Sequence, residues 1–170
     1  RSLMRQDPDV VLVGEMRDLE TISLAIEAAS TGHLVFGTLH TSSAAKTVDR
    51  IIEVFPSGEQ AQIRSTLADG IRAVVAQVLF KRVDKKGRCA ALEILIATPA
   101  VRNLIREGKT HQIASMIQTG KKYGMQLLDD AIMELLNKGW IDPDEAYQKA
   151  NDKGKFRSFL KNPPTDFTDA

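Results

Sequence analysis

Strong charge of either sign, long apolar runs and cysteine are all scarce in this 170-residue sequence, and each scarcity closes off a class of function. Twenty-three lysines and arginines stand against 22 aspartates and glutamates; a net charge of +1 gives no global pull toward nucleic acid. No apolar stretch approaches the roughly 18 residues of a membrane span, and no charged start followed by an apolar run marks a signal peptide. Direct membrane insertion is therefore not expected, and any association with a bilayer would run through partners. The single cysteine, Cys89, cannot form an internal disulfide, which favours a reduced, cytoplasmic setting. Together with His33 and His40 it lacks the close ligand spacing of a zinc site. The chain also starts at Arg1 without methionine, with Leu3 and Met4 patterned like the end of an apolar element, so a fragment or processed chain is expected.

What is present is ordinary for a globular protein. Hydrophobic residues make up 43% and charged residues 26%, enough for one substantial core with a smaller satellite. The informative stretch runs from Asp7 to Thr41. Two apolar runs, Val10 to Val13 and Leu34 to Phe36, flank a helical pattern in which Leu19, Ile22, Ile26 and Ala29 recur at three- and four-residue steps. This spacing predicts strand, helix (about 19 to 30), strand, with Asp18 as N-cap and Gly32 at the helix C-terminus. Strands apolar at nearly every position are expected to be covered on both faces, and the crossover helix makes the pair parallel. Their carboxyl ends then share one rim, where open parallel sheets bind ligands. That rim carries Glu15, Arg17 and Asp18 after the first strand and Thr38, His40 and Thr41 after the second.

Further along, Thr41 to Ser43 can cap a helix burying Ala44, Val48, Ile51, Ile52 and Phe55 before Pro56 stops it. Ser57 and Gln60 fit a capping box for a helix with Ile63 and Leu67 inward. Val74 to Phe80 and Cys89 to Ile96 read as an antiparallel hairpin. From Thr98 the pattern is helical. Thr98 caps, Pro99 starts, and Val101, Leu104 and Ile105 face inward before Gly108. His111 to Gln118, Met125 to Lys138 and a short helix after Asp142 follow, and the segment beyond about Leu160 has little to bury. The basic residues Lys81, Arg82, Lys85, Lys86 and Arg88 cluster on the hairpin, which reads as a solvated turn and not as a nucleic-acid site.

Three segments in order, RQDPDVVLVGEMRD, TGHLVFGTLHTSSA and AVRNLIREGK, resemble the C-terminal ATPase region of secretion-type motor ATPases, most closely the branch that retracts type IV pili. The resemblance implies an α/β fold: part of a RecA-like P-loop ATPase core (1–97, parallel strands and an antiparallel hairpin), an all-helical C-terminal subdomain (98–160) and a disordered tail (161–170). LVGEMRD is similar to the family's Walker B segment, with Gly14 where most P-loop ATPases have aspartate and Glu15 as catalytic glutamate. TGHLVFGTLHT looks like the His box, which makes His40 the histidine near the γ-phosphate of ATP. Gly14, Thr38 and Thr41 would line the nucleotide, and Mg²⁺ would be held through water near Glu15 with no direct protein ligand. Arg17, Asp18 and His33 are placed at a subunit boundary. AVRNLIRE resembles the helix motif that couples hydrolysis to retraction, which puts Ala100, Val101, Arg102, Asn103, Leu104, Ile105, Arg106 and Glu107 in that role. The implied assembly is a cytoplasmic homohexamer beneath an inner-membrane pilus platform protein.

Physical chemistry supports the first two roles independently. A carboxylate at a strand end can orient or deprotonate the water that attacks a phosphoryl group, and a histidine there can sense the γ-phosphate. The plainer readings are a helix-start carboxylate for Glu15 and a structural hydrogen bond for His40. A phosphate-gripping loop of the form G-x-x-x-x-G-K-[ST] is absent: Gly108, Lys109 and Thr110 imitate its end, but Asn103 stands where the first glycine belongs. The 170 residues alone are therefore expected to hydrolyse ATP negligibly. Rival readings are a pilus-assembly or type II secretion ATPase, and a non-catalytic module that docks on a ring or pilus protein.

Overall fold

The computed structural model describes residues 8–163. Leu3 and Met4, residues 5–7 of the first quoted segment with the Asp7 turn signal, and residues 164–170 of the expected tail lie outside the described residues. The elements are β1 (Val10–Glu15), α1 (Leu19–Ser30), β2 (Leu34–Thr38), α2 (Ala44–Glu53), α3 (Gln60–Gly70), β3 (Ala73–Lys81), β4 (Arg88–Ile96), α4 (Pro99–Arg106), α5 (Ile113–Thr119), α6 (Leu128–Asn137) and α7 (Pro143–Lys149). Short 3₁₀ turns fill Thr110–Gln112, Lys121–Tyr123 and Lys153–Phe159. The α/β class is as expected.

The chain divides into two compact units, 1–73 with 96–116 and 74–95 with 117–170. This grouping differs from a boundary at 97/98: the hairpin goes with the C-terminal helices, and α4 goes with the N-terminal elements. The reason lies in side-chain pattern. Phe80 and Ala91 of the hairpin, with Val78 and Cys89 packed beside them, join one buried cluster with Leu128, Ile132, Leu135 and Leu136 of α6, Ile141, Ala146 of α7 and Phe156. Val101 and Ile105 of α4 are fully buried in the first unit, where α4 packs on α3.

Within the first unit β1 and β2 form a parallel pair, Val10 opposite Leu34 and Leu12 opposite Phe36. Ile22, Ala25 and Ala28 of α1 are buried, whereas Val10, Leu12, Leu34 and Phe36 are all exposed, Leu12 at 78%. Coverage on both faces is thus corrected among the described residues: one face of the pair is bare.

The local signals for α1, α2, α4 and α7 lie where the sequence puts them. Asp18, Ser43, Thr98 and Asp142 each accept a backbone N–H of their helix's first turn. Gly32, at φ +102°, ends α1 in a conformation glycine adopts without strain. Two expectations change. Ser57 does not cap α3, whose N-cap residue is Glu59 with no side-chain bond; Gln60 instead reaches back from its amide to the Phe55 carbonyl, 3.0 Å. The helix expected from Met125 begins at Leu128, because Gln126 pairs with Ile94 as a single β-bridge.

Candidate functional site

The parallel pair does not run in simple register to its end. Between Leu12 and Glu15 three steps of β1 face two of β2, a bulge that puts Glu15 opposite Thr38. Bulges re-aim a side chain while the strand continues. The Met16 amide donates to the Thr38 carbonyl (2.9 Å), and the Thr38 hydroxyl donates to the Gly14 carbonyl (2.9 Å), so the two strand ends are tied at the rim. A Cβ at Gly14 would meet nothing within 4 Å, so packing inside the chain does not demand glycine there. A Cβ at Gly37 would fall 2.7 Å from the Met16 Sδ, which leaves Met16 room to lie across β2.

At this rim Glu15 and His40 meet. His40 Nε2 lies 2.9 Å from Glu15 Oε1, and the Arg17 guanidinium Nε bonds the same oxygen. Arg17 thus touches Glu15 directly. Glu15 is 28% exposed, against 73% for Arg17 and 84% for His40. The Arg17 hydrogen bond chiefly, then the charges of Arg17 and His40, hold the Glu15 carboxyl below its ordinary value of 4.5 despite an opposing desolvation. Asp18 is held below its ordinary range by the backbone N–H and hydroxyl of Thr21, its capping partners. The Thr41 hydroxyl turns to Thr47 of α2, 2.7 Å away, and Thr47 in turn donates to the Ser43 carbonyl.

His33 is not part of this cluster. It precedes β2, at the amino end of the strand, where its Nδ1 is 3.0 Å from both the Ala28 carbonyl and the Thr31 hydroxyl. The AVRNLIRE helix is also a different site. Arg102 is no free surface cation: its guanidinium donates to the carbonyls of Ala97 (3.0 Å), Ala68 (3.0 Å), Asp69 (2.5 Å) and Ile71 (3.0 Å). These include the unpaired carbonyls at the end of α3, so the side chain is a C-terminal cap supplied from another helix. Arg106 donates to the Asn103 side chain (2.8 Å) and pairs with Asp69; Glu107 pairs with Lys109 at 2.8 Å. Ala100 is exposed and Leu104 half-buried.

Sequence reasoning missed the three-way meeting of Arg17, Glu15 and His40, because no spacing rule foretells which oxygen a flexible arginine finds. It also missed the Arg102 cap, whose partners lie up to 34 residues away. A helix ending at Gly70 without a basic residue in its last turn was the available signal.

The arrangement can hold a carboxylate ionised and aimed at the rim, with an imidazole beside it and two hydroxyls nearby. It contains one carboxylate, and among the described residues no group of three or more histidine, cysteine or acidic side chains could hold a metal ion. No described helix is long and apolar enough to cross a membrane.

Comparison with known proteins gives the family and the relatives that the chain is similar to. The family model described as Type II/IV secretion system protein matches residues 1–147. The chain is similar to the twitching motility protein of Neisseria gonorrhoeae, 58% identical over 149 residues, covering 88% of this chain and 40% of that protein. It is similar to the type IV pilus retraction ATPase PilT of Pseudomonas aeruginosa, 57% identical over 150 residues, 88% of this chain and 43% of that one. Among solved structures, that of the pilus retraction motor PilT with bound ADP superposes with a TM-score of 0.82 at 41% identity, covering 91% of this chain and 43% of that chain. The chain therefore spans well under half the length of the relatives it matches.

Proposed function

Since the chain belongs to the Type II/IV secretion system protein family, we propose that it is the C-terminal part of a motor that hydrolyses ATP, with Mg²⁺, to retract a type IV pilus. The observation that carries this reading is the 2.9 Å approach of His40 Nε2 to Glu15 Oε1 at the carboxyl rim of a parallel pair. Its sequence counterpart is the 57% identity to a pilus retraction ATPase over 150 residues.

Each residue has a role that its chemistry suits. The ionised Glu15 orients the attacking water and accepts its proton as the phosphoryl group leaves. His40 shares the carboxylate and is placed to donate to an oxygen of the terminal phosphate. The lone carboxylate fits a hydrated Mg²⁺ better than direct ligation, since Mg²⁺ keeps several waters. Gly14 leaves open space beside Glu15, and Thr38 and Thr41 border it. The phosphate-gripping loop is not among these 170 residues, so hydrolysis is a property of the longer protein. In that protein Arg17, Asp18 and His33 are proposed to lie at boundaries between six subunits. The α4 motif, Ala100 to Glu107, is proposed to couple hydrolysis to a pilus platform protein at the inner membrane, on its cytoplasmic side.

The test is Glu15→Gln in the intact protein. Removing a general base costs about 10²–10⁴ in rate, so steady hydrolysis should fall by at least ~100-fold while ADP binding stays within a few-fold. Unchanged turnover would remove Glu15 from the reaction. Pilus dynamics in a strain carrying the variant separates retraction from assembly: pili that extend normally and do not shorten support the retraction reading, and loss of extension supports the assembly reading.

A further inference from the structure

The hairpin tip concentrates charge that the rest of the chain does not have. Residues 81–88 hold five cations and one carboxylate, a net +4, in a chain whose total is +1, so the remaining residues sum to −3. Two of the six are committed to the fold. Arg82 forms a bidentate pair with Asp84, 2.8 and 2.5 Å, and its guanidinium stacks 4.0 Å from the centre of the Trp140 ring. The tip is further pinned by Arg82 N–H to the Gly87 carbonyl (3.0 Å) and Val83 N–H to the Trp140 carbonyl (2.9 Å). The turn is a braced projection.

The other four, Lys81, Lys85, Lys86 and Arg88, are exposed and make no ion pair among the described residues. The Arg82–Gly87 bond, with Ala97 N–H to the Arg72 carbonyl at the far end, sets the antiparallel register and places Lys81 directly opposite Arg88. Like charges directly opposite across two strands destabilise a sheet. Val83, at the same tip, is 59% exposed. Within the tip, Asp84 is the one carboxylate set against these cations, and it is already paired with Arg82.

We infer that the β3–β4 tip, through Lys81, Lys85, Lys86 and Arg88 with Val83 between them, docks the protein on the anionic phospholipid headgroups of a bilayer surface. The occupant follows from shape and residue type. A convex turn of eight residues presents its cations outward in several directions, and a fluid plane of headgroups can bring a phosphate to each. A duplex would require an element that enters a groove and follows a fixed phosphate track. Three of the four cations are lysines, depleted at protein–protein interfaces, where arginine and aromatic anchors carry recognition. Clusters of four or more lysines and arginines with an adjacent apolar residue match lipid surfaces, and no described helix could insert more deeply. This inference is independent of the Glu15 rim.

The experiment is co-sedimentation of the intact protein with vesicles of about one-third phosphatidylglycerol in phosphatidylcholine at about 0.15 M salt. The variant Lys81→Gln, Lys85→Gln, Lys86→Gln, Arg88→Gln removes the patch and leaves the Arg82–Asp84 brace. A matched variant, Lys121→Gln, Lys122→Gln, Lys155→Gln, Lys161→Gln, removes equal charge elsewhere. Each headgroup-facing cation is worth about fivefold in partitioning. Binding should thus weaken by about 100-fold or more in the first variant, and severalfold at most in the second, with circular dichroism and ATP hydrolysis unchanged in both. Equal binding by both variants, or equal binding of the parent to pure phosphatidylcholine, overturns the inference. Tighter binding of the same patch to duplex DNA than to the vesicles at that salt overturns it in favour of nucleic acid.

Discussion

Arg17 and Arg102 both bond acceptors of their own chain. Arg17 bonds Glu15, and its hydrogen bond is the largest cause of the lowered Glu15 pKa. A carboxyl whose folded value is depressed contributes stability above its ordinary value of 4.5 and loses it as pH falls through the lowered one. The cluster is accordingly intact at neutral pH and comes apart only in acid. In the intact protein, Arg17→Ala should move the acid limb of the hydrolysis profile upward, toward that ordinary value, and Arg17→Lys should move it less. An unmoved acid limb would mean that Arg17 does not act through Glu15. Arg102 makes four charge-assisted bonds to carbonyls, so its removal leaves several acceptors unpaired. Arg102→Ala should cost about 2 kcal/mol or more in denaturant unfolding. Arg106→Ala removes a half-exposed pair with Asp69 and should change stability by no more than about 1 kcal/mol. Arg106 is therefore the better probe of coupling: retraction lost with hydrolysis retained is the expected result, and equal loss of both would leave α4 a structural helix.

Elements, unlike single side chains, follow local rules closely here. The caps at Asp18, Ser43, Thr98 and Asp142 were readable because a polar side chain before an apolar-periodic run can satisfy the helix's first N–H groups without help from elsewhere. Ser43→Ala should destabilise the chain by about 1 kcal/mol, with the loss of helicity confined to the start of α2. Ser57 failed by the same logic: Gln60, its expected box partner, bonds the Phe55 carbonyl and leaves the box without its return bond. Packing decides larger energies. Ile132 is fully buried in the cluster that joins the hairpin to α6 and α7. Ile132→Ala should cost about 2–5 kcal/mol, measured by urea unfolding. A cost under about 1 kcal/mol would mean that the cluster does not hold the second unit together.

At the scale of the whole molecule the bare face of β1 and β2 dominates. Val10, Leu12, Leu34 and Phe36 form adjacent pairs, all exposed, in a sheet of two strands that are both edges. Exposed apolar surface next to unpaired strand edges favours association. The isolated 170-residue chain should self-associate in light scattering and bind an apolar dye, and Leu12→Ser with Phe36→Ser should reduce both. A monodisperse chain that binds no dye would contradict this. The same isolated chain should show no steady ATP hydrolysis; a rate that disappears on Glu15→Ala would overturn the expectation that the missing loop is essential.

By itself the sequence determined the strand–helix–strand order, the caps, the hairpin, the apolar faces of the helices and the arrival of Glu15 and His40 at one rim. Each rests on periodicity or on bonds between residues a few positions apart. Only the tertiary structure decided that Arg17 sits on Glu15 and that His33 lies at the other end of β2. It alone decided that Thr41 turns to Thr47, that Arg102 closes α3, and that the hairpin belongs with the C-terminal helices. Those outcomes depend on which groups the folded backbone brings within about 3 Å of one another, and a long side chain chooses among distant partners that local pattern does not rank.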